Sequence, residues 1–229
     1  ATGTPVVVLL RNGRALALEG AVRDAQVILV TWFLGSQTGH AVADVLFGDC
    51  SPSGRLPVSF PHDSGQQPYF YNHPRTGRPE LPGVTEFKAR WREYPHAALY
   101  PFGHGLTYSR IEYGPTGVDA AEIEWDGTVV VAARVHNAGS RAVEEVVQLY
   151  VHDCVGSRVR PVRELKGFRK IRLEPGQACE VEFRLSRHDL AFTRADGSFG
   201  AEPGAFDVWI APSCVAGIPA RFGLLPARA

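Results

Sequence analysis

Two apolar runs near the start of the chain constrain its architecture most. Pro5-Val-Val-Val-Leu-Leu10 and Gln26-Val-Ile-Leu-Val-Thr-Trp-Phe33 are continuous rather than alternating, the pattern of strands covered on both faces. A helix is expected over residues 36–47, with Ser36 as its N-cap and Gly48 as its stop. Two parallel strands and one helix leave strand faces and edges uncovered. Residues 1–60 therefore predict an α/β remnant, the end of an α/β sandwich domain whose sheet has partners upstream or on another chain.

The exit from this unit is Ala43-Asp-Val-Leu-Phe-Gly-Asp-Cys-Ser-Pro-Ser-Gly-Arg-Leu-Pro-Val-Ser-Phe-Pro61. It reads as a helix end, a Gly48-Asp49 stop, a turn with two prolines and a glycine, and a short extended run blocked by Pro61. Residues 61–106 have no sustained period but hold eight aromatics, among them Tyr69, Tyr71 and Trp91. A connection this long is unusual unless functional or packed across an interface, and disorder is poor in aromatics. An ordered interdomain strap is expected.

From residue 107 the pattern changes to period two. Runs at 128–136, 145–151, 164–173, 178–185, 204–211 and 220–224 alternate and are punctuated by Gly and Pro. About seven strands at such spacing predict an all-β sandwich over 107–229 of immunoglobulin or fibronectin type III kind. Glu144 and Glu145 are adjacent on one of these strands, so they face opposite sides and cannot act together on one atom.

Composition excludes several classes. Lysine plus arginine balance aspartate plus glutamate at 24 each, which leaves no electrostatic footprint for nucleic acid or an anionic membrane. No run approaches the roughly 18 apolar residues of a membrane-spanning helix. Ala1-Thr-Gly-Thr-Pro5 lacks the basic and apolar segments of a signal peptide. The cysteines at 50, 154, 179 and 214 form no C-x-x-C pair, so zinc is not expected. Dispersed thiols are the favoured reading, with Cys154–Cys214 the pair to form if any does. His96 and His104 lack a third ligand at metal-like spacing and read as packing or surface histidines.

The exit segment resembles the ADVLFGD-NPSGRLP-TFP signature of glycoside hydrolase family 3, the β-glucosidase family. Val6-Val-Val-Leu-Leu-Arg-Asn-Gly-Arg-Ala-Leu-Ala-Leu18 is similar to the family's VVVLxNGRPLAL strand, and Trp32-Phe-Leu-Gly35 to its WxxG segment. Tyr100-Pro-Phe-Gly-His-Gly-Leu-Thr-Tyr108 resembles the entry to its fibronectin-like domain. Val135–Gly139, Glu145–Tyr150, Glu164–Phe168 and Leu173–Gly176 follow in the family's order. Gly35-Ser-Gln-Thr-Gly-His-Ala41 departs from the family's GxEGGNA at Gln37, Thr38 and His40. The strap, with Thr76-Gly-Arg-Pro79, looks most like periplasmic bacterial β-glucosidases, implying a periplasmic or secreted parent.

The resemblance implies a retaining hydrolase of terminal β-D-glucosyl residues, in which one carboxylate attacks the anomeric carbon and a second, about 5 Å away, protonates the leaving oxygen. In the family the nucleophilic aspartate lies on an N-terminal (β/α)8 barrel and the acid/base glutamate precedes the VVVLxNGRPLAL strand. No catalytic residue is therefore assigned to this chain, which is predicted inactive alone. No metal or cofactor is expected. Its expected partners are the barrel, the rest of the α/β domain and a β-glucoside or oligosaccharide, and a homodimeric parent is compatible with the resemblance. Tyr69, Tyr71, Arg75, Arg78 and Trp91 pair flat apolar faces with donors and are the candidate rim of a substrate pocket. Interdomain packing explains them equally well. The alternative is a non-catalytic carbohydrate- or protein-binding sandwich, which an exposed aromatic row on one face would favour. Trp125 and Trp209 read instead as core.

Overall fold

A computed structural model of the chain describes residues 3–75, 77–78, 87–89 and 91–228. The N-terminal part consists of β1 (Val7–Leu10), α1 (Gly20–Arg23), β2 (Val27–Val30) and α2 (Thr38–Phe47). β1 and β2 pair in parallel from Val7↔Val27 to Leu10↔Val30. The strand faces are open, as expected of a sheet whose partners lie outside the chain: Val7, Leu9 and Val27 are each more than 40% exposed. Phe33 and Phe47, at 75% and 85%, extend the apolar surface.

Ser36 is not the helix cap. A single 3-10 turn over Gly35–Gln37 precedes α2, whose N-cap is Gln37 without a side-chain bond. Thr38 Oγ1 donates to the Gly35 carbonyl at 2.6 Å, which ties the first helical residue back to the 3-10 turn and leaves the first helical N–H groups without a side-chain cap. The helix ends as expected, on Gly48 in the left-handed region at φ 86.

The sandwich contains β3 (Ile111–Tyr113), β4 (Gly117–Val118), β5 (Glu122–Ile123), β6 (Thr128–Asn137), β7 (Val143–Asp153), β8 (Glu164–Leu173), β9 (Ala178–Ser186), β10 (Phe192–Thr193), β11 (Phe199–Gly200), β12 (Gly204–Ala211) and β13 (Ala220–Leu224). One sheet has the order β5-β13-β12-β7-β8; the other is β3-β6-β4 with β9 also on β6. β10 and β11 form a separate hairpin. The core between the sheets is built from alternate residues, among them Val129, Val131 and Val135 of β6, Val181 and Leu185 of β9, and Phe206 and Phe222, whose rings stack at 5.5 Å. Alternation is the consequence of one buried face per sheet.

β7 breaks this rule. Residues Val147 and Gln148 through Asp153 are buried without alternation. The outer face of this part of the sheet carries a second cluster of Tyr150, Trp209, Ala211 and Cys214, onto which Tyr71 and Phe102 of the strap pack. Covered by sheet on one side and strap on the other, the strand is buried on both, with Gln148, Tyr150 and His152 on the strap side.

All four cysteines are free, so no Cys154–Cys214 bond forms. Cys214 belongs to the outer-face cluster and its amide donates to Phe102 O. Cys154, beyond β7, is occupied by the Asp207 side chain.

Candidate functional site: the strap and the interdomain junction

The strap is stitched to both flanking units. Pro57 lies between two backbone pairings: Leu56 and Gly103–His104 exchange bonds of 2.8 and 2.9 Å, and Phe60 and Tyr100 exchange bonds of 2.8 and 3.2 Å. Phe60 is fully buried, with its ring 6.3 Å from Trp32 and 6.5 Å from Tyr100. Gln67 donates to Ala15 O at 3.0 Å on the α/β side. On the sandwich side, Val162 N donates to His73 O at 3.0 Å and Cys214 N to Phe102 O at 3.1 Å.

Beneath this seam lies a buried polar cluster. The Arg55 guanidinium pairs with the Glu145 carboxylate, and Tyr113 Oη donates to the other Glu145 oxygen at 2.7 Å. Burial pushes the Glu145 carboxyl above its ordinary range, while Arg55 and the Tyr113 hydroxyl draw it back. Burial likewise pushes the Tyr113 hydroxyl far up, keeping it a donor. His104, beside Arg55 and stacked on Tyr100 at 5.4 Å, is held below its ordinary value by burial and by that cation. Glu145 is engaged on both oxygens, by Arg55 and by Tyr113, and a carboxylate so held beside a neutral imidazole is the mark of a structural joint.

A second joint closes the helix end. Tyr108 Oη donates to Val45 O at 2.7 Å, Ser51 and Thr107 hydroxyls meet at 2.7 Å, and Arg141 donates to Gly48 O. The Arg141 guanidinium also sits 5.7 Å from the Tyr108 ring. The exit segment is therefore held by sandwich residues at Gly48, Ser51 and Arg55.

The five candidate rim residues separate into two groups. Tyr71 stacks on Phe102 at 4.1 Å, and its Oη accepts from Leu165 N at 3.1 Å. Tyr69 is half-buried, and burial raises its phenol. Both thus lie toward the sandwich. Arg75, Arg78 and Trp91 are exposed, and Ala89 N donates to Arg78 O at 2.9 Å, which brings the limb preceding Trp91 against Arg78. Thr76 and Pro79 of the family-like segment lie outside the described residues.

Trp209 is 7% exposed under the Arg163 guanidinium, and Trp125 packs partly buried against the core. Among the described residues no group of three His, Cys, Asp or Glu could hold a metal ion. No described helix is long and apolar enough to cross a membrane. Arg55, Tyr113, Gln148 and Arg141 were not foreseen as junction residues. For Glu145 a signal existed: it falls in phase with the buried Val143, Val147 and Leu149, a carboxylate in a core position.

Residues 1–108 match the glycosyl hydrolase family 3 C-terminal domain. Residues 145–214 match a fibronectin type III-like domain. The chain belongs to glycosyl hydrolase family 3. It is 43% identical, over 92% of its length, to a periplasmic β-glucosidase of Salmonella typhimurium, and spans 28% of that protein. A β-xylosidase of Formosa agariphila is 39% identical over 93% of the chain, which again spans 28% of it. The crystal structure of a Listeria innocua β-glucosidase with gluconolactone superposes over 98% of the chain and 31% of its own, with a TM-score of 0.93 at 33% identity. The family 3 portion found here is the C-terminal one.

Proposed function

We propose that this chain is the scaffold end of a retaining β-glucosidase that removes terminal β-D-glucosyl residues from oligosaccharides or glycosides. The observation that carries this reading is the 43% identity, across 92% of the chain, to a protein named periplasmic β-glucosidase. The two catalytic carboxylates belong to the (β/α)8 barrel and to the part of the α/β domain that precedes residue 6. Residues 1–60 supply the last two strands of that domain, 61–106 the strap, and 107–229 the sandwich that braces them. The exposed apolar faces of β1, β2 and α2 support this role, because they would be covered by the remaining α/β layers. The parent works in the periplasm.

In the strap, Trp91 and Arg78, with Arg75, form the rim of the leaving-group subsite, where an aromatic face and guanidinium donors suit a sugar ring. Tyr69 and Tyr71 hold that rim against the sandwich.

The test joins this chain in frame to the barrel and preceding α/β segment of a family 3 β-glucosidase. Aryl β-glucoside hydrolysis by the chimera, exceeding that of an aryl β-xyloside, supports the reading. A well-folded chimera with no turnover, or one that prefers the xyloside, contradicts it.

A further inference from the structure

The sandwich carries a cleft that the scaffold role does not use. It lies between the turn before β6, the turn after β9 and the β10–β11 hairpin, and encloses about 190 Å³, room for about six waters or one six-membered ring with its substituents. Its floor is the buried Ala201 and its walls are Trp125, Arg187, His188, Arg194 and Phe199.

The polar equipment of this cleft is one-sided. Among the described residues every charged side chain lining it is a guanidinium, and no carboxylate lines it. Arg187 sits 5.5 Å from the Trp125 ring and pairs at 3.0 Å with Asp126, which is 80% exposed; a pair so solvated neutralises the cation weakly.

Arg194 is fixed more firmly. One nitrogen donates to Ala201 O, and the guanidinium lies so close over Gly200 that a Cβ there would meet Nη2 at 2.7 Å. Its Nε has no acceptor among the described residues. The nearest carboxylate, Glu202, is 3.9 Å away and is already held by Ser157 through bonds of 2.7 and 2.6 Å. Opposite, the Phe199 ring is 74% exposed, a large apolar face left in water.

We propose that this cleft binds a single ring bearing a carboxylate, directly or through a short arm, the ring against Phe199 and Trp125 and the carboxylate between Arg187 and Arg194. Planar guanidiniums match a carboxylate in geometry and stack on aromatic faces. Two sources share this chemistry: a uronic acid residue at a glycan end and a hydroxycinnamate.

The experiment follows the Trp125 indole N–H of the full chain by two-dimensional NMR, assigned by its loss in Trp125→Phe. The probes are glucuronate, ferulate, glucose and acetate. The proposal expects a saturable shift with glucuronate or ferulate, whichever is the source, at least about tenfold tighter than with glucose or acetate. Arg187→Gln, whose side chain makes only the solvated pair with Asp126 and the contact with the Trp125 ring, weakens it about tenfold with an unchanged melting curve, and Phe199→Ala weakens it as well. Arg194→Gln does the same, and because it also removes a hairpin bond, Arg187→Gln decides if Arg194→Gln fails to fold. No saturable shift with either carboxylated ring, equal binding of acetate or glucose, or full affinity in Arg187→Gln would each overturn it.

Discussion

Arg55 and Glu145, ninety residues apart, form an ion pair whose side chains are 7% and 2% exposed. It ties the exit segment of the α/β part to the start of β7. Desolvating two charges costs several kcal/mol per ion, so such a pair contributes more to register than to net stability. Its removal from one side is a different matter. Arg55→Met leaves the Glu145 carboxylate buried without a cation and should cost about 3–5 kcal/mol. Adding Glu145→Leu should restore part of that loss, since it removes the buried charge but leaves the Tyr113 hydroxyl without its acceptor. Urea unfolding of the two single variants and the double variant checks it; additive losses would show that the pair is not coupled.

Gly103 stands at φ 81 in the YPFGHG turn, where a Cβ would land on the Gln148 side-chain oxygen and lie 2.8 Å from Tyr150 Oη. Gln148 donates to Gly103 O and Pro212 O at 3.2 and 2.7 Å and accepts from Tyr150 at 2.5 Å. It has no room to retreat. Gly103→Ala should destabilise the chain by about 2–4 kcal/mol, combining left-handed strain with overpacking. A loss below about 1 kcal/mol would mean that the strap is looser than this seam implies.

Cys50 and Cys214 should differ sharply in reactivity. Burial pushes the Cys214 thiol up to about 11, so at pH 8 only about one in a thousand is thiolate. Cys50 is exposed. Iodoacetamide under native conditions should modify Cys50 first and spare Cys214 until denaturant is added, as read by peptide mass spectrometry. Equal native labelling of both would contradict the packed outer-face cluster.

The proposed strap rim makes a kinetic prediction for the proposed full-length parent. Arg78→Ala should raise KM for a disaccharide about three- to tenfold through loss of a leaving-group contact. Its kinetics on an aryl glucoside, which places no sugar there, should not change. Unchanged disaccharide kinetics with intact folding would remove Arg78 from the rim.

The sandwich was legible because most of its long strands bury one face: Val129, Val131, Ala133 and Val135 alternate with more exposed neighbours, and period two follows directly. Two-residue strands such as Glu122–Ile123 and Phe199–Gly200 were not, since two residues have no period. The uncovered state of β1 and β2 was legible as a deficit of partners, and Val7 and Val27 are exposed accordingly. Tyr71 showed its chemistry but not its direction, because Phe102 and Leu165 reach it only through the tertiary fold. Arg55 carried no local mark at all: its partner is on another element, and nothing in Gly-Arg-Leu-Pro distinguishes a buried guanidinium from a solvated one.

The central claim, that this chain braces a β-glucosidase whose catalytic carboxylates lie outside it, is tested most directly by the chain alone. Purified and folded, it is incubated with a chromogenic β-glucoside at high concentration and the release of aglycone is compared with buffer. The account predicts a rate indistinguishable from buffer. Sustained turnover that scales with chain concentration, and is lost on unfolding, would contradict it.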